Sequence, residues 1–539
     1  MNTKSLKFAG LMTSALVAPA LFASSASAGQ LNKEAVYSHE ASSNANVQAR
    51  MAALNSVQSS SSATSTLSRL LMWNENMLQA NARDHTPGPF AGDQQGPTRN
   101  SRAFAIISIA VFDAVNAFDG KFRAYNTISR APRGASRDAA IAYAAHDSIR
   151  ALYPRQSVIV DAQLAADLAN INASAASIAA GRAVGQAASA AIVNSRISGG
   201  LATDGATAGE PAFGAGAAPG TAGGVVAGGS TVGFLGKING GLRTAPNWEP
   251  DPVGLPRGVA LGARWGNVTT FVLTSGKQFR IPPFPAPNTA RFRAGFADVT
   301  AVGAAANVPG STSTAATQFI GNFWGYDGAP ILGTPPRLYN QIARVVANGQ
   351  GLTNVSDYAR LLALVNVTMG DSGIAAWDSK YFYNYWRPVT GVKRGGEAGD
   401  PTVVSRPAWR PFGASVVNAQ VSEEFTPPVP AYPSGHATFG AAMTGSLLNY
   451  FPNNTRFTFT SDEYNGLGVD PKGAARPLVP VRYRTLLEAQ RENGRSRVFN
   501  GVHWEWDDTE GQTLGANIAR YTIANAFTRV RGGDDDDDD

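Results

Sequence analysis

The chain has 539 residues, no cysteine, a formal charge of +6 and only 16% charged residues. Without cysteine, disulfides and thiolate metal sites are excluded, and a chain this long can bury a core large enough to do without them. Leaving out Lys4, Lys7 and the six terminal aspartates, the body carries about +10, but its basic residues are scattered rather than in blocks, which argues against nucleic-acid binding.

Residues 1–28 combine Lys4 and Lys7, an apolar run and the small-residue site Ala26-Ser27-Ala28. This is the pattern of a secretory signal peptide cut near Ala28, and it implies export to a periplasm or to the outside. No other stretch reaches about 18 uninterrupted apolar residues, so no membrane association is expected of the mature chain. Residues 29–65 are rich in Ser, Ala and Asn and read as a mobile arm.

Residues 66–255 read as an N-terminal helical half. Helical patterning starts at Leu67, and further helices are expected over 101–118, 136–152, 157–171 and 173–196, alanine-rich and suited to close packing. A Gly/Ala-rich insertion, 198–240, interrupts this half, and its composition specifies no element. Residues 256–531 form a C-terminal helical half, with helices expected near 289–306, 336–348, 354–384, 435–450, 481–494 and 507–530. A Gly/Asp tail, 532–539, ends the chain as a solvated segment. No run of alternating strands is present, so the fold class is all-α.

Three clusters in the C-terminal half carry chemistry. Lys380 and Arg387 stand two helical turns apart, so both could share one face of a helix that Pro388 ends. In Pro430-Ala-Tyr-Pro-Ser434-Gly435-His436, Ser434 is a candidate N-cap of an apolar helix, and free N–H groups at a helix start suit an oxyanion. Next to them, His436 could move a proton near neutral pH. In the third cluster, Ser496-Arg497 precedes His503, and Asp507 follows it at i,i+4, where a carboxylate can hold one ring nitrogen and leave the other free. Taken singly, each also reads as ordinary structure: a basic face backed by aromatics, a capped turn, a helical His–Asp pair.

Taken in order, K-x6-R-P, P-S-G-H and S-R-x5-H-x3-D resemble the signature of one superfamily. It joins type-2 phosphatidic acid phosphatases, bacterial acid phosphatases and vanadium-dependent haloperoxidases. A long polar, proline-containing segment between His436 and Ser496 departs from it. Longer stretches look like the chloroperoxidase type of haloperoxidase: Phe323 to Gly328 and on through Ile342, Phe382 to Val392, Pro427 to Ala442, Gly501 to Trp504, and in the N-terminal half Trp73 to Glu75 and Val111 to Asn116. The acid phosphatases are much shorter and lack that half.

The resemblance implies two four-helix-bundle-type halves with the oxyanion site in the C-terminal bundle. It implies vanadate as cofactor, with no haem, nicotinamide or flavin. Hydrogen peroxide, halide and an organic acceptor would be the reacting partners. Lys380, Arg387, Ser434, Gly435 and Arg497 would bond the vanadate oxygens, and His503 would bind vanadium. His436 would act as acid–base group, and Lys380 would polarise bound peroxide. Trp377 matches a halide-pocket residue and Asp327 an acid paired with Arg497, although packing and a structural ion pair explain these two equally well. Where the chloroperoxidases carry an aromatic, this chain has Val429. A smaller wall without hydrogen-bonding capacity favours bromide and iodide over chloride. The same site holding phosphate would make a phosphatase working through a phosphohistidine at His503.

Overall fold

The computed structural model describes residues 41–56, 63–199, 201–206, 245–249, 260–414, 416–419 and 424–530. The expected signal peptide, residues 29–40 and 57–62 of the expected arm, most of the Gly/Ala-rich insertion and the Gly/Asp tail lie outside the described residues.

Helices dominate, as the patterning implies. In chain order they are α1 (Ala45–Leu54), α2 (Thr66–Asp84), α3 (Pro97–Asp119), α4 (Arg137–Leu152), α5 (Ser157–Leu168), α6 (Ala175–Arg196), α7 (Ala290–Val302), α8 (Ala315–Phe323), α9 (Pro335–Gly349), α10 (Val355–Tyr383), α11 (Pro388–Arg394), α12 (Gly435–Leu448), α13 (Leu486–Phe499) and α14 (Glu505–Asn525). Two short antiparallel pairs accompany them: β1 (Ile197–Ser198) with β2 (Leu201–Ala202), and β3 (Phe457–Phe459) with β4 (Val481–Tyr483).

Hydroxyl and amide side chains start these helices. Ser65, Ser136, Ser174, Thr289, Thr314, Asn354, Ser434 and Thr485 each accept a backbone N–H of the first turn. Each such cap contributes about 1 kcal/mol. The central element is α10, buried along most of its length and on every side, polar residues such as Arg360, Asn366 and Asp371 included. It packs on α3 from the N-terminal half and on α12 and α14 from the C-terminal half. The two halves therefore share one continuous hydrophobic core. By length and composition α3 could cross a membrane, but it is almost entirely buried inside the molecule. The approach of α14 to α12 depends on a missing side chain: a Cβ on Gly515 would lie 2.1 Å from the Thr438 carbonyl oxygen.

Four expectations are revised. Part of the expected arm is ordered: α1 buries Val47 and Met51, an i,i+4 apolar pair, and Arg50 donates to the Leu467 carbonyl. Two short helices, α8 and α11, escape the sequence reading. The helix expected at 481–494 lies at Leu486–Phe499, because Thr485 caps it and Val481–Tyr483 pair as a strand. Finally, Lys380 and Arg387 do not share a helix. Asn384, in the left-handed region at φ 49°, ends α10, and Pro388 occupies the first turn of α11 with Arg387 as its N-cap.

Candidate functional site

A small pocket, about 30 Å³, opens where the first turn of α12, the C-terminal end of α10 and the α13–α14 junction converge, and the N-terminal half reaches it through Pro97. Nine of the eleven residues singled out from the sequence line it: Asp327, Trp377, Lys380, Arg387, Val429, Gly435, His436, Arg497 and His503. The other two stand behind the wall. Ser434 caps α12, its hydroxyl accepting from Ala437 N at 3.4 Å, and its own N–H donates to the Asp507 carbonyl at 2.8 Å. Asp507 holds His503.

The His503–Asp507 pair forms at a helix start rather than within a helix. Trp504 is the N-cap of α14 and Asp507 its third residue. One Asp507 oxygen, Oδ2, accepts both Trp504 N at 3.0 Å and His503 Nδ1 at 2.8 Å. Nδ1 therefore carries the imidazole hydrogen, and Nε2 presents its lone pair at the wall, 3.0 Å from Arg387 Nη1. Burial pushes the His503 imidazolium well below its ordinary range, and the charges of Arg387, Lys380 and Arg497 push it further. Burial, with a smaller contribution from the Asp508 charge, raises Asp507 to about 7, against the pull of its backbone bond and neighbouring cations.

Three cations face this imidazole. Arg387 is braced by the Val429 carbonyl through Nε at 2.8 Å and by the Val502 carbonyl through Nη1 at 2.7 Å. Lys380 Nζ donates to the carbonyls of Pro430, Ala431 and Pro433 at 2.9, 3.0 and 2.5 Å. Burial lowers its affinity for a proton well below the usual lysine value, with Arg387 adding to the effect. Arg497 makes a bidentate pair with Asp327, Nη1 to Oδ2 at 3.1 Å and Nη2 to Oδ1 at 2.9 Å, while its Nε is buried without a hydrogen-bond partner.

His436 donates from Nε2 to the Gly325 carbonyl at 2.8 Å, so its lone pair is on Nδ1. Burial, and after it Arg497, holds it neutral. The apolar side of the pocket is built from Trp377, Phe439, Val429, Pro427 and Pro97. Trp377 is fixed by a bond from Nε1 to the Leu261 carbonyl at 3.1 Å. Its ring passes so close to Gly262 that a Cβ there would sit 2.3 Å from it.

The donor set suits an oxyanion. Two guanidiniums and an ammonium converge, one guanidinium nitrogen is unsatisfied, and an imidazole lone pair faces them. Among the described residues no group of three or more His, Cys, Asp or Glu is placed to hold a metal cation. A tetrahedral oxyanion such as vanadate or phosphate would find the Arg497 Nε–H unspent and the charges of Arg387 and Lys380 beside it, although the three Lys380 hydrogens are given to carbonyls here.

Sequence reasoning missed Phe439, Pro97 and the Gly325 carbonyl. Phe439 was readable, since it stands one turn after Gly435 on the helix that Ser434 starts. Pro97 and Gly325 reach the pocket only through long-range packing. Also unread was the clamp on the first turn of α12, where the His436 carbonyl accepts from Asn493 Nδ2 at 2.8 Å and lies 3.0 Å from the Tyr339 hydroxyl.

Comparison with known proteins agrees with this architecture. Residues 360–532 match the family model of the VCPO second helical-bundle domain. The vanadium chloroperoxidase of Curvularia inaequalis is 36% identical over 222 residues, 35% of this chain and 35% of that protein. The match thus spans about a third of that relative's length. Among solved structures, a bacterial vanadium-dependent iodoperoxidase superposes with a TM-score of 0.63 at 19% identity, covering 86% of this chain and 98% of the other. A holo-type bacterial vanadium-dependent chloroperoxidase gives 0.57 at 15% identity, covering 84% and 96%.

Proposed function

We propose that this chain, which has the fold of the vanadium-dependent haloperoxidases and carries the second helical bundle of their chloroperoxidase type, is an exported enzyme that oxidises halide with hydrogen peroxide to hypohalous acid. The observation that carries the reading is the neutral His503, oriented by Asp507, with its Nε2 lone pair among three buried cations. Export rests on the leader pattern of residues 1–28.

When bound, vanadate supplies a Lewis-acid centre that activates peroxide without changing its own oxidation state. Holding it is the task of Lys380, Arg387, Arg497 and His503, with Gly435 letting the backbone come close. Asp507 keeps the His503 hydrogen on Nδ1, so Nε2 stays available. Asp327 holds Arg497 flat by its two terminal nitrogens and leaves Nε to an anion. His436, whose Nε2 hydrogen is given to Gly325, would take or return a proton at Nδ1 when peroxide is activated. The apolar wall of Trp377, Phe439 and Val429 takes the halide, and hypohalous acid then reaches organic acceptors without a dedicated recognition site. Val429 in place of an aromatic favours bromide and iodide over chloride.

A phosphatase reading draws on the same His503–Asp507 pair, whose Nε2 is equally suited to attack phosphorus. One experiment separates the two. Purified protein is assayed with peroxide and bromide, with and without orthovanadate, and in parallel with a phosphate monoester. Bromination that depends on orthovanadate supports the proposal. Ester hydrolysis without such bromination overturns it.

A further inference from the structure

We propose that Glu463, in the segment inserted between His436 and Ser496, is a positioning residue for the pocket: it fastens the Gly325–Asp327 turn, which orients His436 and Arg497. The inference rests on the oxyanion reading of this pocket.

The turn touches the pocket at both ends. The Gly325 carbonyl accepts from His436 Nε2 at 2.8 Å, and Asp327 pairs with Arg497 through both oxygens. Between them Tyr326 sits at φ 54°. A bulky residue in the left-handed region is disfavoured and persists only where its surroundings hold it.

The inserted segment supplies that hold through three consecutive residues. Ser461 Oγ donates to the Phe323 carbonyl at 2.7 Å, and Asp462 N donates to the Tyr326 hydroxyl at 2.9 Å. Glu463 Oε1 then accepts the Tyr326 N–H at 3.1 Å, the bond nearest the strained residue. Its other oxygen takes Arg476 Nη1 at 2.5 Å, a partner from the same segment. Glu463 is fully buried, so without this turn its carboxylate would lose one of its two partners away from water. The contact also requires Gly325: a Cβ there would lie 2.8 Å from Glu463 Oε1. Glu463 does not line the pocket. It acts through the turn, and its effect is on geometry.

The test uses the full chain with 15N-labelled histidine, since five histidines give few ring signals. Imidazole spectra and orthovanadate titrations are recorded for wild type, Glu463→Ala, Glu463→Gln and Gly325→Ala. In Glu463→Ala, the His436 ring resonances should move and orthovanadate affinity should fall by about tenfold, as expected when one charge-assisted donor loses its aim. Glu463→Gln has one acceptor oxygen for two donors, the Tyr326 N–H and Arg476 Nη1, and should fall between wild type and Glu463→Ala. Gly325→Ala pushes the turn off an intact Glu463–Arg476 pair and should move the His436 signals even if Glu463→Ala does not fold. Unmoved His436 resonances in a folded Glu463→Ala or in Gly325→Ala overturn the proposal. Wild type that binds no orthovanadate removes the oxyanion reading alone, and the imidazole spectra still decide the role of Glu463.

Discussion

Two buried histidines, each just ahead of or behind a helix boundary, show what separates structure from chemistry in this molecule. His85 follows α2 and is completely buried. Its Nδ1 bonds the Asn81 carbonyl at 2.9 Å and its Nε2 accepts Gly96 N at 2.9 Å, so both ring nitrogens are consumed by backbone. His503 precedes α14 and is as well buried, but neither of its ring nitrogens bonds backbone: Nδ1 donates to Asp507. Its Nε2 accepts from Arg387 Nη1 at 3.0 Å on the wall of the pocket. Burial drives both imidazoliums down, His85 to about 4 and His503 well below its usual range. A shifted pKa therefore does not distinguish them. The direction of the unshared pair does.

The largest test of this contrast is to remove each ring. His503→Ala should abolish orthovanadate-dependent bromination, a loss of at least about a thousandfold, while the circular dichroism spectrum stays that of the wild type. His85→Ala should lower the melting temperature and leave turnover per folded molecule close to wild type. If the folded His503→Ala protein still brominates at full rate, His503 is not the group that anchors the oxyanion.

Acid sharpens the comparison from the stability side. Because His85 must be neutral to accept Gly96 N, its folded pKa lies below the unfolded value near 6.5. The unfolded chain then binds the extra proton between pH 6.5 and 4, so stability present above 6.5 is lost as pH falls to 4. That loss is about 3 kcal/mol for a shift of this size. Urea midpoints measured across this window should fall with acid in wild type, and His85→Gln should be less stable at pH 7 but flatter. A variant with the undiminished wild-type slope would show that His85 is not the group being titrated.

A smaller effect is expected at the cations around His503. Arg387→Ala removes one charge-assisted donor, worth roughly 1.5–3 kcal/mol, so orthovanadate should bind at least about tenfold more weakly. Phosphate should compete with orthovanadate for wild type. Calorimetric titration in the presence and absence of phosphate checks both, and equal affinities for wild type and Arg387→Ala would contradict the assignment.

The smallest expected change concerns halide choice. Val429 contributes its side chain to the apolar wall and its carbonyl to Arg387, so Val429→Phe alters the wall while keeping the brace. A fuller wall leaves less water beside the halide, which most helps the strongly hydrated chloride. The chloride-to-bromide turnover ratio at fixed peroxide should rise a few-fold, on the order of 1 kcal/mol in relative barrier. An unchanged ratio would assign halide preference to other wall residues, of which Trp377 and Phe439 are nearest in kind.

Much of the fold was legible because helix signals are local. Ser136, Thr289 and Ser434 cap the helices expected at those positions, and the all-α class follows from apolar spacing alone. The misreadings come from competing local signals. Pro388 signals a helix stop, yet a proline serves as well in a first turn, and Asn384 already ends α10. The arm looked polar because only Val47 and Met51 on α1 carry its burial.

The sequence by itself determined which groups are present and their local pairing: Asp507 four residues after His503, Ser434 at the head of α12, three cations in fixed order. These follow from bonds spanning a few residues, which spacing dictates. Only the tertiary structure decided where those groups point. It turned His503 Nε2 toward Arg387, 116 positions earlier in the chain, set Asp327 against Arg497 across 170, and brought Glu463 to Tyr326 across 137. It also put Pro97 of the N-terminal half on the wall of a pocket built by the other half. Contacts of that separation depend on how whole helices pack, and no local pattern encodes the packing.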